Sequence, residues 1–361
     1  MTQRVLMIVE SLHPSGLLTQ AALLARRLAT RGFEPHLAVL TGDPAKDAPP
    51  IEGVSTHWLR RRHRVDPIAA WKLRRLVRQT QPQVVHAWGD AALTFAAVAG
   101  GGKLVATLGR TPIDPPWWQA KVAGWSQGKA DRLVATSEPI ATQLQSDAKI
   151  IPPGVDRHGT DAGSANGQTK AEVLAELGLP SDAYLIATVA NLEPRKRVKE
   201  LIWASDLVRV LHNETWLVVA GQGPEAPSLA RFARMSSEQD QVRMLGPRDD
   251  VPRLLNAADM LWHAGDETSP PLAVLEAMAA GRPVVADDTP GCQLAVRDGE
   301  TGRLAPAGGR AERGRATVDI IEDAALRERL TAAARETIAQ QYDADRMADD
   351  YAAVYRELLS G

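Results

Sequence analysis

Short runs of four to seven apolar residues alternate along most of this chain with longer stretches in which apolar positions recur at helical spacing. The runs at 5–9, 36–40, 83–87, 104–108, 132–135 and 149–151 predict strands, and the stretches at 17–31, 67–79, 91–99 and 138–145 predict helices between them. Uninterrupted apolar strands are buried on both faces, and with helices between them they predict parallel α/β sheets. The pattern breaks at Arg157, where RHGTDAGSANGQ has no periodicity and is rich in Gly, Ser, Asn and Asp, as a linker or long loop is. It then restarts with a helix at 171–177, strands at 184–190, 216–220, 260–263 and 283–286, and helices at 198–210, 252–257 and 272–280. Three helical segments close the chain, the last at about 344–359. The expected organisation is a first α/β domain over 1–156, a linker over 157–170, a second over 171–343 and a terminal helix over 344–361. A cleft between the domains is the expected ligand site.

Length agrees, since 361 residues suit two domains of ordinary size. The chain is 44% hydrophobic and 24% charged, which excludes disordered, collagen-like and disulfide-scaffold classes. Cys292 is the only cysteine, so neither an intrachain disulfide nor a cysteine metal cluster is expected. No apolar stretch approaches the ~20 residues of a membrane span, and the first apolar run is too short for a signal peptide; a cytoplasmic location is expected. The net charge of −2 gives no sign of a nucleic-acid partner, but the charge is unevenly spread. Residues 1–157 hold 20 Lys and Arg against 12 Asp and Glu, and the remainder holds 22 against 32. Arg60, Arg61, Arg62, Arg64, Lys72, Arg74, Arg75 and Arg78 concentrate the excess. They read either as a solvated helix face or as a peripheral contact with an anionic membrane or a phosphate-bearing acceptor.

Several local patterns suggest chemistry. The first strand runs through Ser15 and Gly16 into a helix, where small residues and free backbone N–H groups suit a phosphate, although an ordinary strand–helix turn looks the same. Gly221-Gln222-Gly223-Pro224-Glu225-Ala226 matches a loose GxGxxA dinucleotide pattern with Glu238 or Asp240 downstream, or a tight turn ahead of a helix. The run Gly100-Gly101-Gly102-Lys103 lacks the Ser or Thr of a phosphate loop and precedes a strand. The histidines form no metal-ligating pair, and the DxD of Asp343-Ala344-Asp345 reads as helix capping. No metal is expected. In Asn191-Leu192-Glu193-Pro194-Arg195-Lys196-Arg197, three cations stand at a helix start and oppose its dipole, a conflict that a bound diphosphate at Lys196 and Arg197 resolves. A solvated basic loop is the plainer alternative. Glu276 lies about one turn into the helix after a polar loop with two prolines; its carboxylate can accept from both hydroxyls of a ribose, or serve as a first-turn acid.

In order, these pieces resemble GT-B-fold retaining glycosyltransferases, specifically glycosyltransferase family 4 of the group 1 type. The resemblance rests on LEAMAAGRPVVA, the DGETGRL turn, the upstream VANLEPRKR and IIPPGVD at 150–156, and covers essentially the whole chain. It implies two Rossmann-like doubly wound parallel-sheet domains facing a central cleft: an N-terminal acceptor-binding domain and a C-terminal nucleotide-sugar domain. It also implies a C-terminal helix crossing back to the first domain. By position, it implies that Lys196 holds the donor diphosphate, Glu276 the nucleotide ribose, Ser15 and Gly16 the vicinity of the phosphates, and Pro271, Leu272 and Ala273 the diphosphate through backbone. Three positions depart from the family pattern. Thr268 stands at the first Glu of E-x(7)-E, with Glu267 beside it; Asn191 stands at the usual arginine; Gly109, followed by Arg110, stands at the usual histidine. Glu267, Thr268 and Arg110 are therefore secondary catalytic candidates beside Lys196, and Asn191 and Arg197 join the donor-binding set. The implied function is metal-independent transfer of a sugar from a nucleotide-diphosphate donor to a glycan, lipid-linked or other small acceptor, with retention of configuration and no cofactor. The departures leave open a non-catalytic nucleotide-sugar-binding relative, and the GxGxxA run leaves a nicotinamide-dependent dehydrogenase.

Overall fold

The computed structural model describes residues 2–12, 15–43, 51, 53–109, 116–144, 147–157, 169–236 and 241–361. The chain divides into one unit of Met1–Gly154 with Ala344–Gly361 and a second of Val155–Asp343. In chain order the first segment gives β1 (Gln3–Val9), α1 (Gly16–Leu28), β2 (Phe33–Val39), β3 (Ser55–Trp58), α2 (Pro67–Thr80), β4 (Val84–Trp88) and α3 (Asp90–Ala99). It continues with β5 (Lys103–Leu108), α4 (Trp117–Gln127), β6 (Arg132–Ala135), α5 (Glu138–Leu144) and β7 (Lys149–Ile150). The second unit contains α6 (Lys170–Glu176), β8 (Tyr184–Val189), α7 (Val198–Leu211), β9 (Thr215–Ala220), α8 (Ala226–Ser236), β10 (Val242–Gly246) and α9 (Val251–Ala257). It goes on through β11 (Met260–His263), α10 (Leu272–Ala279), β12 (Val284–Asp287), α11 (Pro290–Ala295), β13 (Arg303–Ala305), α12 (Arg310–Glu322) and α13 (Ala324–Gln341), and α14 (Ala344–Ser360) ends the chain in the first unit.

The first unit is a seven-stranded parallel sheet in the order β3-β2-β1-β4-β5-β6-β7. Its central strands carry unbroken buried runs, such as Val5 to Val9, because helices cover both faces. On one face α1 and α14 pack together; α14 buries Met347, Ala348, Tyr351, Ala352 and Tyr355 at helical spacing. A polar cluster pins this helix to the sheet. His86 Nδ1 lies 2.6 Å from the Tyr355 hydroxyl, His86 Nε2 lies 2.8 Å from Thr107 Oγ1, and Thr107 lies 2.9 Å from the Tyr351 hydroxyl. All four are buried, and burial holds His86 neutral, with its pKa down at about 3. On the other face α3 packs against both α2 and α4.

The second unit is a six-stranded parallel sheet in the order β10-β9-β8-β11-β12-β13, with apolar cores on both faces. Both strand orders are doubly wound, and chain direction across the sheet reverses between β1 and β4 and between β8 and β11. Ligands of open α/β sheets gather at such switch points, beyond the carboxyl ends of the strands.

Most expected elements form within a residue or two of their expected bounds. The elements absent from the sequence reading are β3, α4, α8, β10, α11 and β13. β3 and β13 are short edge strands of polar or mixed residues, STHW and RLA. α4 buries only Ser126 among its eleven residues, so it shows no apolar stripe. Of the expected linker, residues 158–168 lie outside the described residues; after it Thr169 caps α6 in a capping box with Glu172, whose Oε2 accepts from Thr169 N at 2.8 Å.

Candidate functional site

At the switch point of the second unit, the segment after β8 and the segment after β11 carry the candidate residues. The backbone after β8 turns through the 3-10 segment Pro194–Lys196 and enters α7 at Arg197, a non-glycine residue in the left-handed region with φ of 45°. Gly221 and Gly223, the two glycines of the GxGxxA run, brace this segment from behind. A Cβ at Gly221 would lie 1.9 Å from Ala190 O, and one at Gly223 would lie 2.4 Å from Leu192 O. Leu192 N also donates to Gln222 O at 2.8 Å. These glycines serve close backbone packing, which removes the reason for a dinucleotide fingerprint there; Glu238 and Asp240 lie outside the described residues. Gly265, with φ of 134°, leaves room for the Lys196 chain, because a Cβ there would sit 3.0 Å from Lys196 Cδ.

The basic triplet has acidic partners throughout. Lys196 Nζ donates to Glu267 Oε1, which joins the two switch-point segments. Arg195 pairs with Glu193 at 2.8 Å. Arg197 pairs with Asp266 and with Asp287 Oδ2, each at 2.8 Å. Arg197, expected among the donor-binding residues, is like Lys196 held by carboxylates in this structure. Its guanidinium clasps Asp287, a buried carboxylate at the end of β12 that also receives Arg313 Nη2 on Oδ1 and Gly265 N at 3.0 Å. Arg313, itself buried, donates further to Val285 O at 2.8 Å. Three donors satisfy Asp287, and that makes a buried ion cluster tolerable. Asp287, Arg313, Gly265 and His263 were missed by the sequence reading; the only signal was an Asp ending the apolar run VVAD.

Burial opposes ionisation of Glu267, but the His263 imidazole and the Lys196 ammonium outweigh it and hold the carboxyl down at about 2. His263 Nε2 stands 3.6 Å from Glu267 Oε1, and burial lowers the His263 pKa. Gly291 N donates to Glu267 O at 2.8 Å, and a Cβ at Gly291 would meet Ser269 O at 2.5 Å, so the start of α11 seats the Glu267 segment. Thr268 is half-buried beside it.

Pro271 caps the start of α10 with extended backbone, and the N–H groups of Leu272 and Ala273 have no acceptor among the described residues. Glu276 is the fifth residue of this helix; its carboxyl has no hydrogen-bond or ion-pair partner among the described residues, and desolvation pushes its pKa up to about 7. Asn191 is exposed at the end of β8. Ser15 and Gly16 belong to the first unit, where Ser15 is the N-cap of α1 and its Oγ accepts from Leu18 N at 3.3 Å. Arg110 lies outside the described residues, and Gly109 ends the segment before it. The DxD carboxylates are engaged in ion pairs, Asp343 with Arg157 at 2.6 Å and Asp345 with Arg31 at 3.0 Å. Among the described residues, no group of three or more His, Cys, Asp or Glu is disposed to hold a metal ion. Arg61 of the basic segment is turned inward to Glu10 at 2.5 Å.

Comparison with known proteins gives two family matches: residues 169–337 match the glycosyl transferases group 1, and residues 14–158 match glycosyltransferase family 4. D-inositol 3-phosphate glycosyltransferase of Salinispora arenicola is 34% identical over 269 residues, covering 68% of this chain and 60% of the relative. N-acetyl-alpha-D-glucosaminyl L-malate synthase of Bacillus anthracis is 25% identical over 184 residues, covering 51% of this chain and 48% of the relative. The chain thus spans about half to three-fifths of the length of these curated relatives. Among solved structures, Anabaena HepE in complex with UDP and glucose superposes with a TM-score of 0.83 at 20% identity, over 98% of this chain and 100% of that one. Sucrose-phosphate synthase of Thermosynechococcus elongatus gives 0.83 at 18% identity, over 99% of both. With these matches over two parallel-sheet units of seven and six strands, the chain belongs to the group 1, family 4 glycosyltransferases of GT-B fold.

Proposed function

We propose that this protein transfers a glycosyl group from a nucleoside diphosphate sugar to an acceptor hydroxyl, without a metal and with retention at the anomeric carbon. The observation that carries the reading is Lys196, whose ammonium is held at the switch point of the second unit by Glu267. When the bond from the sugar C1 to the diphosphate oxygen breaks, negative charge grows on the diphosphate. A cation already in position, with the open N–H groups of Leu272 and Ala273, stabilises that charge without reorganising. The acceptor oxygen forms the new bond to C1, and its proton leaves with the diphosphate. Glu276, whose carboxyl has no partner among the described residues, is the group for the two ribose hydroxyls. Glu267 is the resting counter-ion that the diphosphate displaces from Lys196, and it then lies beside the reacting sugar with Thr268.

UDP is the nucleotide named with the Anabaena structure, and inositol 3-phosphate and L-malate appear in the names of the relatives. Those acceptors are small, anionic and hydroxylated, and the basic excess of residues 1–157 favours an acceptor of that charge, free or as the head of a lipid-linked glycan. The test is release of UDP from UDP-sugars across a panel of inositol phosphates, malate and lipid-linked acceptors. Lys196→Ala is expected to abolish release and leave the fold intact. Undiminished turnover in that variant overturns the reading. A second reading, a nucleotide-sugar binder without transfer, is favoured by Thr268 standing at the first acidic position. UDP-sugar binding without UDP release across the whole panel would select it.

A further inference from the structure

At the switch point of the second unit, a buried imidazole nitrogen lacks a hydrogen-bond partner among the described residues. His263 ends β11 and is 2% exposed, and its Nε2 is the atom left over. Leu261, two positions earlier and so on the same side of the strand, lies in the apolar core with Val274, Leu275 and Met278 of α10. Buried polar side-chain atoms nearly always find a partner, so an exception asks for a cause.

Glu267 Oε1 stands 3.6 Å from that nitrogen, just beyond hydrogen-bond distance. The same oxygen accepts from Lys196 Nζ. The backbone here is tied down, since Gly291 N donates to Glu267 O at 2.8 Å and Asp266 N donates to Arg195 O at 3.2 Å. A change of side-chain torsion alone therefore has to carry the carboxylate from one partner to another. A diphosphate at Lys196 takes the ammonium from Glu267, and a buried carboxylate without a cation is costly unless a donor receives it. Besides Lys196, the ion-pairing groups near it are Arg195 Nη1 at 3.9 Å and His263 Nε2 at 3.6 Å. Arg195 is already committed to Glu193 at 2.8 Å. His263 Nε2 is committed to nothing, and the tautomer with its hydrogen there is a donor.

We propose that His263 is the second berth of Glu267: when a donor diphosphate takes Lys196, the carboxylate turns to His263 Nε2–H, which holds it beside the bound sugar. His263 touches neither sugar nor diphosphate in this role; it is a positioning residue that acts through Glu267. The inference rests on the donor-site reading of Lys196 and deepens it. A carboxylate with two berths neutralises the lysine at rest and still yields it to the donor, because the bond lost on one side is replaced on the other.

The experiment is titration of the full chain with UDP, in wild type, Lys196→Ala, His263→Leu, His263→Gln, Glu267→Gln and His263→Leu combined with Glu267→Gln. His263→Leu is expected to weaken UDP binding at least about tenfold, the worth of a hydrogen bond to a charged group. His263→Gln, whose amide nitrogen can stand near the place of Nε2, is expected to regain most of that loss. In the Glu267→Gln background no carboxylate needs the berth, and His263→Leu is expected to change affinity less than about twofold. The nitrogen NMR resonance of His263 Nε2, assigned by its absence from His263→Gln, gives a readout apart from affinity. It is expected to move on UDP addition in wild type and to move far less in Glu267→Gln. If His263→Leu does not fold, the resonance decides alone. Lys196→Ala that binds UDP as wild type does ends the donor-site reading, and this inference with it. With Lys196→Ala deficient, the berth alone is overturned by wild-type affinity in His263→Leu, by an equal loss in both backgrounds, or by a resonance that ignores UDP.

Discussion

Removing the carboxylate of Asp287 probes the clasp behind the candidate site. Asp287→Ala leaves Arg313 buried, at 4% side-chain exposure, with Val285 O at 2.8 Å as the one remaining hydrogen-bond partner of its guanidinium among the described residues. Breaking a buried pair by removing one partner costs about 3–5 kcal/mol, because the remaining charge stays out of water. The other two donors add less. Arg197 keeps Asp266 and reaches solvent, and Gly265 N loses a single bond worth about 1 kcal/mol. The expected loss is therefore about 3–5 kcal/mol in the second unit, read from urea unfolding and from amide exchange in β11 and β12. Replacing both charges, Asp287→Ala with Arg313→Met, is expected to recover at least about 2 kcal/mol of that loss, because no orphan charge remains. UDP affinity is expected to fall in the single variant, since Arg197 holds the left-handed turn that presents Lys196. A folded Asp287→Ala protein within about 1 kcal/mol of wild type, or strictly additive single and double effects, would refute the reasoning.

Three further outcomes follow from the geometry. Glu276 has a folded pKa raised from 4.5 to about 7, so the stability it contributes is full below pH 4.5 and is lost as pH rises through about 7. Glu276→Gln is accordingly expected to be more stable than wild type at about pH 8, by up to about 3 kcal/mol, and equal to it at about pH 4; by calorimetry, wild-type affinity for UDP should rise over the same range, because a ribose diol donates to the ionised form. His86 has its pKa depressed from 6.5 to about 3, so stability in the first unit is expected to fall as pH drops through that window, and Tyr355→Phe is expected to cost about 1–3 kcal/mol and to speed amide exchange in α14. Glu267→Gln frees the Lys196 ammonium from its resting partner and is expected to tighten UDP binding in a titration; weaker binding would mean that Glu267 aims the lysine at the diphosphate instead of competing for it.

Much of the site was legible because it is built from local patterns. Three cations at a helix start, a polar loop with two prolines before an apolar helix, and an acid one turn into that helix are each visible in a short window. Lys196 and Glu267, 71 positions apart, were both chosen as candidates, yet nothing local shows that they meet. The carboxylates that hold Arg197 were not legible, because they come from elsewhere: Asp266 lies 69 positions away and Asp287 lies 90. The glycines of the GxGxxA run imitated a cofactor motif because their requirement is steric, set by backbone from the neighbouring segment.

The sequence by itself determined the alternation of buried strands and amphipathic helices, and with it two doubly wound sheets, because burial on both faces of a parallel strand writes an unbroken apolar run into the chain. The tertiary structure alone decided which charges neutralise one another, that α14 anchors through Tyr355 to His86 across 269 positions, and that the tryptophans of α4 face outward. Pairing and desolvation depend on what surrounds a side chain in space, and for these residues almost all of the surroundings come from distant parts of the chain.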